Sequence, residues 1–243
     1  MIVCFTLDDG LKSQMRFWNK TLIPSTYFIL PEATELKTNY GNRGNLDILS
    51  WGEVRLLAKH NEIGFHGYST EYENWGVEKT KTAIEFHLSL FERETGRHPK
   101  SFAYTNMRAF QLPLVMEKFS YIRDYFWRDK DEKGNYNLRM PNTPEKMKPW
   151  LPKIFCIHPN ADLVAYLKAI RRVAEAGYEY CVIILHGISD DTIYHARVIA
   201  LFYDTCTFKQ IFEGRGPEAV AQPAPSGLAA GGSTPPVSPA VKK

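Results

Sequence analysis

The apolar positions of this chain follow two alternating rhythms. Short runs rich in β-branched and aromatic residues occur at 2–7, 26–30, 62–66, 101–104, 121–127, 153–157 and 180–186. Longer segments between them repeat apolar residues every three or four positions, the period of a helix with one buried face. The first and last short runs, IVCFTL and YCVIILH, are almost wholly apolar. Strands buried on both faces of a parallel sheet read this way. The helical segments are punctuated. Ser50-Trp51-Gly52-Glu53 has the spacing of a capping box, followed by Val54, Leu57 and Ala58 as an apolar face. Val77, Ile84, Leu88 and Phe91 trace a second stripe, closed by Gly96 as a C-cap, and a third segment at 162–176 ends at Gly177. Strand–helix alternation sustained over this length predicts a parallel α/β fold, either a barrel or an open sheet.

The pattern stops near Gly214. From there the chain reads GRGPEAVAQPAPSGLAAGGSTPPVSPAVKK, rich in Pro, Ala, Gly and Ser and without an aromatic residue. Such a composition buries too little apolar area to offset its conformational entropy. The expected organisation is one domain over 1–214 and a disordered tail or linker over 215–243. Charged residues make up 23% of the 243 and the formal net charge is +3, with no Lys/Arg block, so a nucleic-acid partner is not expected. No run of 18 apolar residues is present, so neither is a membrane span. The start, MIVCFTLDDG, lacks a basic segment and a long apolar one. It reads as cytoplasmic, or as a piece whose targeting segment is missing. Cys4, Cys156, Cys181 and Cys206 lie far apart in apolar surroundings, the pattern of buried thiols.

Chemistry gathers where such strands end. The first run leads into Asp8-Asp9-Gly10, a pair of carboxylates that could equally form a solvated turn. The third ends at His66 and the last at His186, and each alone would pass for a structural strand-end histidine. Together, two Asp and two His at three strand ends form a hydrolytic constellation.

In this order and context the chain resembles the polysaccharide deacetylases with the NodB homology domain, carbohydrate esterase family 4. Thr6-Leu7-Asp8-Asp9-Gly10 is similar to the family's first motif, His66 with its surroundings to its second, Phe102-Ala103-Tyr104-Thr105-Asn106 to its third and Leu185-His186 to its late L-x-H. Thr26-Tyr27-Phe28-Ile29, the Leu49–Gly64 segment and Thr95-Gly96-Arg97-His98-Pro99 match intervening elements. The resemblance implies a distorted (β/α) barrel with fewer than eight parallel strands and a metal-dependent hydrolysis of acetamides on carbohydrate or a related small amide. It implies Asp8 as general base, His186 as general acid, and a divalent metal, zinc first among candidates, on Asp9 and His66. A backbone N–H near Tyr104 would hold the oxyanion, and Asp124 and Trp127 would line the acetyl pocket.

The chain also departs from the family. Thr70 stands where a second metal-binding His belongs, which leaves a doubtful ligand. His87 and His98 are substitutes only by elimination, and His158 before Pro159 suits a turn. The third motif has Ala103 and Thr105 in place of Arg and Pro, so Asp8 is expected to lack the arginine that would orient it. The alternative function is a catalytically weak or inactive relative that binds carbohydrate or a protein.

Overall fold

The computed structural model describes residues 1–36, 47–67, 75–103, 112–123, 154–157, 163–175 and 177–213. The strands are β1 (Ile2–Leu7), β2 (Thr26–Ile29), β3 (Glu62–Phe65), β4 (Ser101–Ala103), β5 (Tyr121–Arg123), β6 (Ile154–Ile157), β7 (Tyr180–Leu185) and β8 (Asp204–Cys206). The helices are α1 (Gln14–Thr21), α2 (Pro31–Leu36), α3 (Trp51–Leu57), α4 (Val77–Thr95), α5 (Leu112–Lys118), α6 (Leu163–Glu175), α7 (Asp190–Phe202) and α8 (Phe208–Glu213). All seven expected strands are present, each within or at its expected bounds. The capping box forms, with Ser50 Oγ accepting from the Glu53 N–H at 3.3 Å and Glu53 accepting from the Ser50 N–H at 2.8 Å. Among the described residues no helix is long and apolar enough to cross a membrane.

Among the described residues every strand pairing is parallel, in the order β5-β4-β3-β2-β1-β7-β6. β7 covers one edge of β1 along all six residues. The other edge is shared: β8 pairs with Ile2, Val3 and Cys4, and β2 with Thr6 and Leu7. The sheet is strongly curled. Arg123 on β5 touches Asp8 at the end of β1, although three strands lie between them. Four steps of strand spacing in a flat sheet would separate them by roughly 19 Å. The fold is thus a distorted (β/α) barrel whose main path has seven strands, with β8 inserted beside β1.

Side chains alternate between two apolar compartments. Val3, Phe5, Leu7, Tyr27, Ile29, Phe65, Phe102, Cys181, Ile183 and Leu185 face the helices and are buried beneath them. Cys4, Phe28, Ala103, Val182 and Cys206 fill the barrel, together with Phe208 and Ile211 of α8. Cys4, Cys181 and Cys206 are therefore buried, as their surroundings predict. α8 and β8, which the hydrophobic pattern did not predict, seal the N-terminal mouth. Phe208 meets Phe28 edge-on at 6.1 Å and Phe212 stacks on Tyr121 at 4.7 Å. The Phe208 N–H donates to Thr26 Oγ1 and the Lys209 N–H to Glu62 Oε2, both at 2.7 Å. With this end plugged, functional groups are left to the C-terminal mouth.

One glycine makes the interior possible. Gly64 lies opposite Phe28 in the β2–β3 register, and a Cβ there would come within 2.5 Å of the Phe28 ring. That ring in turn lies beneath the Arg123 guanidinium, 4.7 Å from its centroid. Gly64→Ala is expected to destabilise the fold by about 1–3 kcal/mol, as overpacking does. Gly52→Ala, at an uncrowded helix position, should be neutral or stabilise by up to about 1 kcal/mol. Urea unfolding of both variants checks the contrast, and equal stabilities would contradict it.

Candidate active site

Asp8 and Asp9 follow β1 directly. The β1–β7 ladder runs one bond past the strand, from the Asp8 N–H to the Leu185 carbonyl at 2.8 Å, which aligns Asp8 with His186. The chain then leaves the sheet through two consecutive residues of positive φ, Asp9 at 74° and Gly10 at 65°. Gly adopts this conformation freely, whereas a non-Gly residue there costs of order 1–3 kcal/mol and persists only where its surroundings enforce it. The turn sends the Asp9 carboxylate toward His66 rather than into solvent: Asp9 is buried, and its Oδ1 lies 3.4 Å from His66 Nε2.

Asp8 does have an arginine. Arg123 binds it through both nitrogens, Nη1 to Oδ1 at 2.8 Å and Nη2 to Oδ2 at 2.5 Å, and Nη1 also donates to Thr6 Oγ1 at 2.6 Å. Asp8 and Arg123 are 0% and 2% exposed, so the pair is fully enclosed. The expectation that Asp8 lacks this partner, drawn from Ala103 and Thr105, is corrected: the next strand supplies the guanidinium. Burial opposes ionisation of Asp8, but the charge of Arg123, then that of His66, the Arg123 hydrogen bonds and His186 outweigh it. The carboxyl is held below its ordinary value of 3.8.

His66 closes the site from β3. Its backbone N–H donates to the Ile29 carbonyl at 2.9 Å, and ring Nδ1 lies 3.2 Å from the Ala103 carbonyl. A carbonyl only accepts, so Nδ1 carries a proton, and Nε2 is turned to the carboxylates, 3.4 Å from Asp9 Oδ1 and 3.6 Å from Asp8 Oδ2. His186 Nε2 stands 4.0 Å from Asp9 Oδ2. Its side chain is 24% exposed, against 0–6% for the other three. His186 is thus the member of the group that meets solvent.

The donor chemistry suits a divalent cation at two positions. Among the described residues, two buried carboxylates, one of them paired with a guanidinium, stand beside an imidazole. An Nδ1–H anchored on a carbonyl is the usual support for a metal-binding His. Among the described residues, however, no group of three or more His, Cys, Asp or Glu side chains is arranged to hold a metal ion. Thr70, Tyr104, Asp124, Trp127 and His158 lie outside the described residues. His87 is not a third ligand, because it packs edge-on against Phe65 on the helix side of the sheet. His98 pairs with Glu92 at 2.7 Å in an exposed turn.

The Arg123–Asp8 pair makes a pH-dependent prediction. A carboxyl with a depressed folded-state value stabilises the fold above its unfolded value, and that contribution is lost as pH falls through the folded one. Arg123→Met leaves Asp8 buried without its partner and should cost about 3–5 kcal/mol at neutral pH. Burial alone then raises the Asp8 value, so the deficit should narrow as pH falls toward 3.8. Chemical denaturation of both proteins across that range checks this, and a deficit that does not change with pH would contradict it.

A scan against protein-family models finds no match, and neither does a comparison with curated proteins. Solved structures do match. A carbohydrate esterase family 4 pseudoenzyme from Bacillus anthracis aligns with a TM-score of 0.53 at 10% identity, over 86% of this chain and 64% of its own. A variant of it with restored enzymatic activity gives the same score. This chain spans about two thirds of that protein's length. A peptidoglycan deacetylase from Bacillus subtilis, as its D285S variant, aligns with a TM-score of 0.51 at 15% identity, over 87% of this chain and 90% of that one. An acetyl xylan esterase from Clostridium thermocellum, solved in complex with a cobalt ion, gives 0.50 at 13% identity, over 88% and 91%. The chain therefore has the polysaccharide deacetylase-type fold that these family 4 carbohydrate esterases share.

Proposed function

We propose that this protein is a hydrolase that removes acetyl groups from N-acetylated sugars and works with a divalent metal. The observation that carries this reading is the convergence of Asp8, Asp9, His66 and His186 at one barrel mouth, with Asp8 held ionised by Arg123. Asp9 and His66 would hold the metal, which when bound would polarise the acetamide carbonyl and acidify water. The protein's own groups divide the remaining work. Asp8 accepts a proton from the attacking water, and Arg123 keeps its carboxylate ionised and fixed in orientation. As the C–N bond breaks, His186 delivers a proton to the departing amine, which suits the exposed member of the group. Acetate and a free amine are the products. By the family resemblance, the backbone N–H at Tyr104 would face the developing oxyanion, and Asp124 and Trp127 would line the acetyl pocket.

A second reading is a catalytically weak relative that binds carbohydrate or a protein. Two observations favour it: the metal set reaches two donors among the described residues, and one structural neighbour is a pseudoenzyme.

Calorimetric titration with Zn²⁺ and acetate release from N-acetylated oligosaccharides separate the two. The hydrolase reading expects saturable Zn²⁺ binding that Asp9→Asn or His66→Ala abolishes, and metal-dependent acetate release. Thr70→His should tighten binding by about tenfold or more, equivalent to about 1.4 kcal/mol. Oligosaccharide binding without Zn²⁺ binding or acetate release would instead select the second reading.

A further inference from the structure

Gln14, the first residue of α1, is a neutral polar side chain with 0% exposure. Its Nε2 donates to the Asp8 carbonyl and, at 3.1 Å, to the His186 carbonyl. These carbonyls lie just past the last ladder bond between β1 and β7, where the two paired strands diverge. One amide thus ties the backbone of Asp8 to that of His186. Its Oε1 is buried and accepts no hydrogen bond among the described residues. Flipping the amide would set that oxygen against two carbonyl oxygens, so the double donation fixes its orientation. A buried oxygen without a donor is costly, and an apolar side chain of similar length would avoid that cost. The amide is therefore explained by what its NH₂ group does.

Neighbouring residues of the same turn grip the same loop. Ser13 Oγ accepts from the Ile188 N–H at 3.3 Å, and Arg16 Nη2 reaches Asp190 Oδ1 at 2.6 Å. The exposed ion pair adds little. The buried amide is the firm contact.

We propose that Gln14 is a positioning residue, holding the main chain of His186 in register with Asp8 so that the imidazole keeps its place beside Asp9. The kinetic consequence rests on the hydrolase reading above, whereas the structural one does not. A proton donor displaced by about 1 Å can cost up to about a hundredfold in rate. Gln14 makes its contacts through backbone carbonyls, so its loss should lower kcat and leave KM nearly unchanged.

The test is Gln14→Met, which keeps side-chain length and helix propensity and removes both donors. Amide hydrogen exchange at Gly187 and Ile188 should quicken by about tenfold while amides of β2 and β3 stay as they are. On an N-acetylated oligosaccharide, kcat should fall by about tenfold or more with KM within about twofold. Unchanged exchange at Gly187 and Ile188 would overturn the proposal, as would equal losses in exchange protection across the whole sheet. If the unaltered protein releases no acetate, the hydrolase reading fails, and exchange alone still decides the role of Gln14. Should Gln14→Met not fold, Gln14→Asn keeps a buried amide but shortens its reach by one methylene. The same measurements apply to it, with the same expectation and the same overturning result.

Discussion

The structure depends on a buried ion pair drawn across the barrel. Arg123 on β5 and Asp8, just past the end of β1, are separated by three strands, and their bidentate contact is possible only because the sheet curls until the two meet. Each end of the pair is costly to bury alone, and together they satisfy one another with Thr6 and the Phe28 ring as flanking contacts. Among the described residues, Cys4, Phe28, Ala103, Val182 and Cys206 fill the barrel, and the polar contacts of Thr26, Glu62 and Ser101 lie at the end that α8 closes. Asp9, His66 and His186 gather beside Asp8 at the opposite end.

The site is built in layers of decreasing burial. Asp8 lies deepest and is charge-compensated. Asp9 comes next, turned inward by a left-handed backbone. His66 is oriented by the Ala103 carbonyl, the position where the family resemblance would place an arginine. That substitution is coherent with the rest: a small residue at 103 leaves the barrel interior to the long side chain arriving from β5. His186 is outermost, and its backbone is anchored by Gln14. The order runs from a fixed charge to a group that meets solvent, which suits proton movement between the interior and a bound molecule.

Much of this arrangement was legible in the residues. Strands β1 and β7 announce themselves as apolar runs, and Asp8, Asp9, His66 and His186 stand out because reactive side chains end those runs. Arg123 did not stand out, because its partner is 115 positions away and β5 is a three-residue strand of mixed character. A signal was present: alternation along Tyr121-Ile122-Arg123 puts a cation on the barrel-facing side, where an unpaired charge would be prohibitive. β8 and α8 were missed because Asp204-Thr205-Cys206 and a six-residue helix are too short to show a period. Gln14 was missed because a glutamine opening a helix reads as surface, and only the structure shows it enclosed.

Asp8 and Arg123 act as one unit that joins barrel closure to site geometry. A double-mutant cycle measures this directly, from the unfolding free energies of the unaltered protein, Asp8→Asn, Arg123→Met and the double variant at neutral pH. The account predicts a coupling energy of about 2–3 kcal/mol, with the double variant at least as stable as Arg123→Met alone. Effects that add to within about 0.5 kcal/mol would show two independent residues and contradict it.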